Sequence, residues 1–204
     1  MSEIQCVLEE LRATVTRVNK LDPVSARIEN GCSPDELKDL EGRLGTYVEL
    51  GDPRAGAEFS LPSEYQELLA GCRQVTVIPE GKGLVLFSPM TVAIAIEGFP
   101  YPCPRTVQVD LANTLTQVQV VPIGNDGFGE NVFLMGLSGS GAGAVWKWAE
   151  SCPPDASGVA RDGITFLSQS LAGFLMPIVE ELTRWCESRP ESRGQRGSHS
   201  HPEI

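Results

Sequence analysis

The chain has 204 residues, 41% hydrophobic and 21% charged, with 27 acids against 16 bases and a net charge of −11. That is enough chain for a domain with a real core, its charge repels a polyanion such as nucleic acid, and no apolar run reaches membrane-spanning length. Six cysteines stand at 6, 32, 72, 103, 152 and 186, none closer than 26 residues, which removes zinc-finger spacing and leaves free, mostly buried thiols as the expectation.

Residues 3–19 read as an amphipathic helix. Ile4, Leu8, Leu11, Val15 and Val18 follow at spacings of 4, 3, 4 and 3, and Asp22-Pro23 ends the run. Such a face packs on its own domain or pairs with a partner helix, for instance in a homodimer. A second helix opens at Ser33-Pro34-Asp35-Glu36, a capping box with proline at the first helical position. It carries Leu37, Leu40 and Leu44 and is expected to stop at Gly45. Gly51–Gly56 reads as a loop. A third helix opens at Leu61-Pro62-Ser63-Glu64, turns Tyr65, Leu68 and Leu69 inward, and ends at Gly71.

From Gln74 the period changes to that of strands. Val75, Val77, Val85, Phe87, Val92, Ile94 and Ile96 fall in β-rich runs separated by Pro79-Glu80-Gly81, Ser88-Pro89 and Glu97-Gly98-Phe99-Pro100. Val107 and Val109, then Val118 and Val120, alternate with polar residues as strands with one wet face do. Val132–Leu137 and Ala144–Trp148 follow, joined by a glycine-rich loop from Ser138 to Gly143. The short connections favour antiparallel pairing. A last helix runs from about Ser168 to Cys186, with Pro177 inside it as a kink or break. Residues 187–204 contain almost nothing apolar and are expected to be a disordered tail. The chain therefore divides into an N-terminal helical extension (1–30), an α+β domain (31–186) with a mainly antiparallel β-sheet flanked by helices, and that tail.

Chemistry-bearing constellations are sparse. The only histidines, His199 and His201, lie in the tail, so the domain has no histidine for a nucleophilic triad or a metal site. Gly139–Gly143 lacks the lysine of a phosphate loop. No catalytic residue, metal or cofactor is expected, which points to a protein that binds rather than reacts; an enzyme built from carboxylates that meet in space is the remaining alternative. The N-terminus has no secretory pattern, so cytoplasm is the expected location. The stretch Val121–Leu134 stands out, because two apolar runs are interrupted by Gly124-Asn125-Asp126-Gly127-Phe128-Gly129-Glu130-Asn131, residues that tolerate positive φ and reverse the chain. Turns are exposed, and the excess negative charge attracts a basic protein partner. Asp126 and Glu130 are the chief candidates for partner contacts, with Glu64 and Glu67 after them. Trp146 and Trp148 share one face of a strand and serve either as core or as an exposed aromatic patch, with Trp146 as the candidate anchor.

Several segments in order resemble the SUKH superfamily, the SMI/KNR-type proteins. They are the helix Pro34–Gly45 ending in Leu-Gly, Leu61-Pro62-Ser63-Glu64-Tyr65, the turn Pro122–Asn131, the strand Ala144–Trp148, and Ile164–Leu182 as a closing helix with Ser170, Leu171, Phe174 and Leu175 at its core. The chain departs from the family pattern at Ala70-Gly71-Cys72-Arg73, where members often carry Asn-Gly-Gly. The resemblance implies an α+β domain that acts, in bacteria, as an immunity protein. It would bind and neutralise a cognate toxin domain, often a nuclease, by occlusion. In fungi it implies a regulatory scaffold of cell-wall synthesis.

Overall fold

The computed structural model describes residues 1–51, 60–79, 83–96, 103–111, 114–137 and 139–189. The expected loop beyond Gly51, the break at Glu97–Pro100 and the tail from Pro190, with its two histidines, lie outside these residues. In chain order the elements are α1 Glu3–Leu21, β1 Ala26–Asn30, α2 Pro34–Gly51, α3 Ser63–Gly71, β2 Cys72–Val77, β3 Leu84–Leu86, α4 Pro89–Ile96 and β4 Thr106–Leu111. They continue with β5 Thr114–Asn125, β6 Asn131–Gly136, a 3-10 turn Gly139–Gly141, β7 Val145–Ala149, β8 Val159–Ala160, β9 Ile164–Ser168 and α5 Leu171–Glu187.

The architecture is α+β, with a sheet ordered β1-β2-β3-β5-β6-β7-β9 and antiparallel at every step of that path. β4 and β8 leave this path. β4 pairs antiparallel with the first half of β5, and β8 pairs parallel with β4. The twelve-residue β5 therefore serves two layers, with residues 114–119 matched to β4 and residues from 120 onward matched to β6.

The sheet is buried on both sides. Helices cover one face, where Leu11, Val15, Tyr65, Leu68, Val75, Ile123, Met135 and Leu175 form the larger core. The alternate residues of the central strands, Val120, Val132, Leu134, Trp146 and Trp148, meet Val107 and Ala160 of the β4–β8 layer in a smaller core. Burial on two faces removes the wet side from β6, whose run Val132–Gly136 is continuously buried.

The N-terminal segment is part of this body. Ile4, Val7, Leu8, Leu11, Val15 and Val18 are buried against the same core, and α1 packs along α5. The apolar face of α1 is thus occupied within the chain. Ser2 and Gln5 form a capping box at its start. β1 then closes one edge of the sheet against β2. All six cysteines are free, with Cys32, Cys72 and Cys186 buried.

Four expectations need correction. α2 keeps its capping box, with Ser33 Oγ accepting from Glu36 N at 3.3 Å and Glu36 Oε2 from Ser33 N at 2.9 Å, but runs through Gly45 to Gly51. The roughly 1 kcal/mol cost of an internal glycine is offset by burial of Leu44 and Tyr47 on either side. Val92, Ile94 and Ile96 lie in α4 rather than in a strand. Ser88 caps that helix, its Oγ accepting from Thr91 N at 3.2 Å and its carbonyl from Val92 N at 2.9 Å, and Pro89 takes the first helical position. Ile164–Ser168 is β9, and the closing helix begins only at Leu171, with Ser170 as its cap. Glu187 belongs to α5, which continues through Pro177 without a break. Among the described residues no helix is long and apolar enough to cross a membrane.

Candidate functional site

The turn between β5 and β6 is held by its own polar side chains. Asn125 Oδ1 accepts from Gly127 N at 2.8 Å. Asp126 Oδ1 accepts from Phe128 N at 3.1 Å and Gly129 N at 3.2 Å, and Oδ2 accepts from Asn131 Nδ2 at 2.7 Å. Asp126 N closes the reversal by donating to Asn131 O at 3.2 Å. Gly127 and Gly129 both take positive φ, 79° and 78°, a conformation that side chains disfavour. Gly83 passes so close that a Cβ there would fall 2.2 Å from Asp126 O. The tip is therefore packed against the chain that leads into β3.

Burial pushes the Asp126 carboxyl up, but the bonds from Asn131 and the turn amides outweigh it and leave it below the usual carboxylate range. Both carboxylate oxygens are spent inside the turn. Asp126 contributes negative charge there while its bonds hold the turn.

What the turn presents outward is different. Phe128 stands at the apex between the two glycines, 53% exposed. Glu130 is exposed beside it. Glu150, at the end of β7, is tied in through its backbone, its N donating to Glu130 O at 3.1 Å. Burial, and then the charge of Asp126, raises the Glu150 carboxyl above its ordinary value. The turn thus carries Asp126, Phe128 and Glu130, with Glu150 tied to it through Glu130 O and close enough to Asp126 to feel its charge, and among the described residues no cation pairs with these carboxylates. Such a surface offers an apolar anchor and acceptors for lysine or arginine.

The other sequence candidates are placed elsewhere. Glu64 sits on α3 and caps α5, its Oε2 accepting from Leu171 N at 2.7 Å and Ala172 N at 3.3 Å. This satisfies orphan amides and sets a negative charge at the positive end of the helix. Glu67, also on α3, accepts from Ser2 Oγ and ties down the start of α1. Trp146 is 1% exposed in the smaller core and is no surface anchor; its strand is covered on that face by the β4–β8 layer. Its neighbour Trp148 is buried too, its Nε1 donating to Cys152 O at 2.8 Å.

Phe128 and Glu150 escaped the sequence reading. Phe128 had a signal, since a large apolar residue between two turn glycines has no neighbouring scaffold to bury it. Glu150 had none, because only the β6–β7 pairing of Asn131 with Ala149 brings it beside the turn. Among the described residues no three His, Cys, Asp or Glu side chains converge to hold a metal ion. A scan against protein-family models gives no match for the chain, and a search of curated proteins gives none.

Proposed function

We propose that this chain is a non-catalytic protein-binding module of the SUKH type, an immunity protein that covers and neutralises a basic toxin domain in the cytoplasm. The observation that carries the reading is Phe128, 53% exposed at the apex of a hydrogen-bonded turn that also carries Asp126 and Glu130, on a chain of net charge −11. An aromatic ring on a hydrogen-bonded backbone has only two side-chain torsions to lose on binding and makes a natural anchor in a partner's pocket. The carboxylates of the turn steer a basic partner and suppress acidic ones. Nuclease clefts are basic because their substrate is a polyanion, so an acidic tip placed in one excludes substrate without any chemistry.

The order of the sequence motifs adds to this reading. Leu61–Tyr65 opens α3, whose Glu64 holds α5, and Asn125–Asn131 forms the rigid turn before the central strand β6. The test is capture from an extract of the native organism, with the wild-type chain and Glu130→Gln/Glu150→Gln as parallel baits. A basic protein retained by the wild type, released by salt and weakened by the double variant supports the proposal. Its toxicity on expression should be relieved by this chain. Equal capture by both baits, at any salt concentration, would remove the tip from consideration.

A further inference from the structure

The two edges of the sheet are built differently. β1 closes one edge with Arg27 and Glu29, ion-paired at 3.1 Å, and its register slips between Ile28 and Asn30. Charges and a bulge on an edge strand deter a further strand. β9 closes the other edge with Thr165, Phe166 and Leu167, all exposed, Phe166 to 48% and Leu167 to 38%. Ala149 N donates to Gly163 O at 3.0 Å. Continuing the antiparallel alternation from that pair turns the backbone of Thr165 toward β7 and the N–H and C=O groups of Ile164 and Phe166 outward. Among the described residues no strand pairs with that side of β9.

Each face beside this edge has a groove. On the α5 side a groove of about 450 Å³ runs between Phe133, Leu167, Phe174 and Ile178, with half-buried Lys147 in its floor. Lys147 pairs with Thr165 across the ladder, so both side chains point to this face. Among the described residues Lys147 forms no ion pair. Glu181, on the α5 wall, is itself engaged. On the opposite face Phe166 meets Trp146 edge-on at 6.2 Å between ring centroids and borders a second groove of about 530 Å³.

We infer that the β9 edge is a docking site for an extended, acidic segment of a partner protein, added to the sheet as one more strand. A residue opposite Thr165 on such a strand lies two strand spacings, about 9.5 Å, from Lys147. A lysine stem and a glutamate side chain span that gap together. The residues before and after it point to the other face, where an apolar group packs on Phe166. Lys147 selects the chemistry, since a cation without an ion pair among the described residues, set in an apolar groove, discriminates for a carboxylate and against a cation. The ladder shifts between Val145 and Trp146 and leaves Leu167 bulged, so the added strand is short. Main-chain bonds at Ile164 and Phe166 fix its register, and the two grooves supply its specificity. This surface goes beyond the acidic tip and has the opposite preference.

The test is to pan a phage-displayed library of random twelve-residue peptides against the full chain and to synthesise the enriched sequences. They should share an acid flanked by apolar residues. They should bind Lys147→Gln at least tenfold more weakly, and Phe166→Pro likewise. Proline at an outward-facing edge position is tolerated by the sheet but removes the N–H that an added strand needs. Should Phe166→Pro fold poorly by its melting curve, amide exchange on the wild type decides in its place. The Ile164 and Phe166 amides should slow when the peptide binds. No enrichment, enriched peptides that are basic, or affinity indifferent to Lys147→Gln with unprotected Ile164 and Phe166 amides would each overturn the inference.

Discussion

Two turns in this molecule use the same device to opposite effect. Asp126 and Asp155 each accept from the amide two residues ahead, Asp126 from Phe128 and Asp155 from Ser157, the latter at 2.9 Å. Each turn contains a glycine with positive φ, Gly127 in one and Gly158 in the other. Asp155 goes on to accept from Ser157 Oγ at 2.5 Å, Val159 N at 3.1 Å and Arg161 at 3.2 Å. Its charge is met by a cation, and small residues, Ala156 and Ser157, follow it. Among the described residues Asp126 has no cation, and its turn exposes a phenylalanine followed by Glu130. An acidic, glycine-bearing turn is therefore not a site through its turn chemistry. It becomes a candidate through the groups its hydrogen bonds leave unspent.

The largest effect that would break this comparison concerns the aromatic rings. Trp146→Ala should cost about 3–5 kcal/mol in urea denaturation, as expected for a large side chain removed from a packed core. A loss below about 1 kcal/mol would mean that Trp146 is not the core residue its burial makes it. Next comes Asp126→Ala, which frees two turn amides and Asn131 Nδ2 and should cost about 1–2 kcal/mol. Asp126→Asn should cost less, because an Asn131 amide turned over presents its oxygen to the new Nδ2. Equal losses for the two would show that the charge, rather than the acceptor geometry, holds the turn.

The smallest effect is in the titration of the two turns. Ser157, then the Val159 amide, hold the Asp155 carboxyl down to about 2. A depressed carboxyl contributes stability above its unfolded value, near ~3.9, and loses it as pH falls through the folded value. Between those limits the β7–β8 connection should loosen. Glu150 has the opposite sign. Its raised carboxyl gives a contribution present below the unfolded value, near ~4.3, and lost as pH rises through the folded one. Side-chain carboxyl NMR shifts followed from pH 7 to 1.5 should show Asp155 titrating last and Glu150 early. The reverse order would undo the contrast between a neutralised turn and a crowded one.

Much of this was readable from residues whose local preference and tertiary fate agree. Ser33-Pro34 opening α2, Leu61–Tyr65 opening α3 and the alternating valines of β4 and β5 are of this kind. Where the two disagree, sequence misleads. Val92, Ile94 and Ile96 are β-branched at spacing 2, yet Ser88-Pro89 carries a helix signal that packing against α2 secures. β1 contains only Ala26 and Ile28 as apolar residues, so nothing in its pattern separates it from a loop; it is fixed by its ladder with β2. Ile164-Thr165-Phe166 carries ordinary strand propensity that the neighbouring helix obscured. At the candidate site the turn was legible; that Asp126, expected as a partner contact, bonds within the turn through both carboxylate oxygens was not, because those bonds depend on the turn's backbone path. The burial of Trp146 was not, because it requires the β4–β8 layer to fold over the back of the sheet. The approach of Glu150 was not either, because it depends on the register between two strands.

The β5–β6 tip is proposed to bind through Phe128, a side chain the fold does not need. Calorimetric affinity of Phe128→Ala for the captured basic partner, measured alongside its melting curve, tests both halves at once. Stability should stay within about 0.5 kcal/mol of wild type, as for a surface substitution, and affinity should fall by about 2 kcal/mol or more, as for an interface anchor. Unchanged affinity with the fold intact would contradict the proposal.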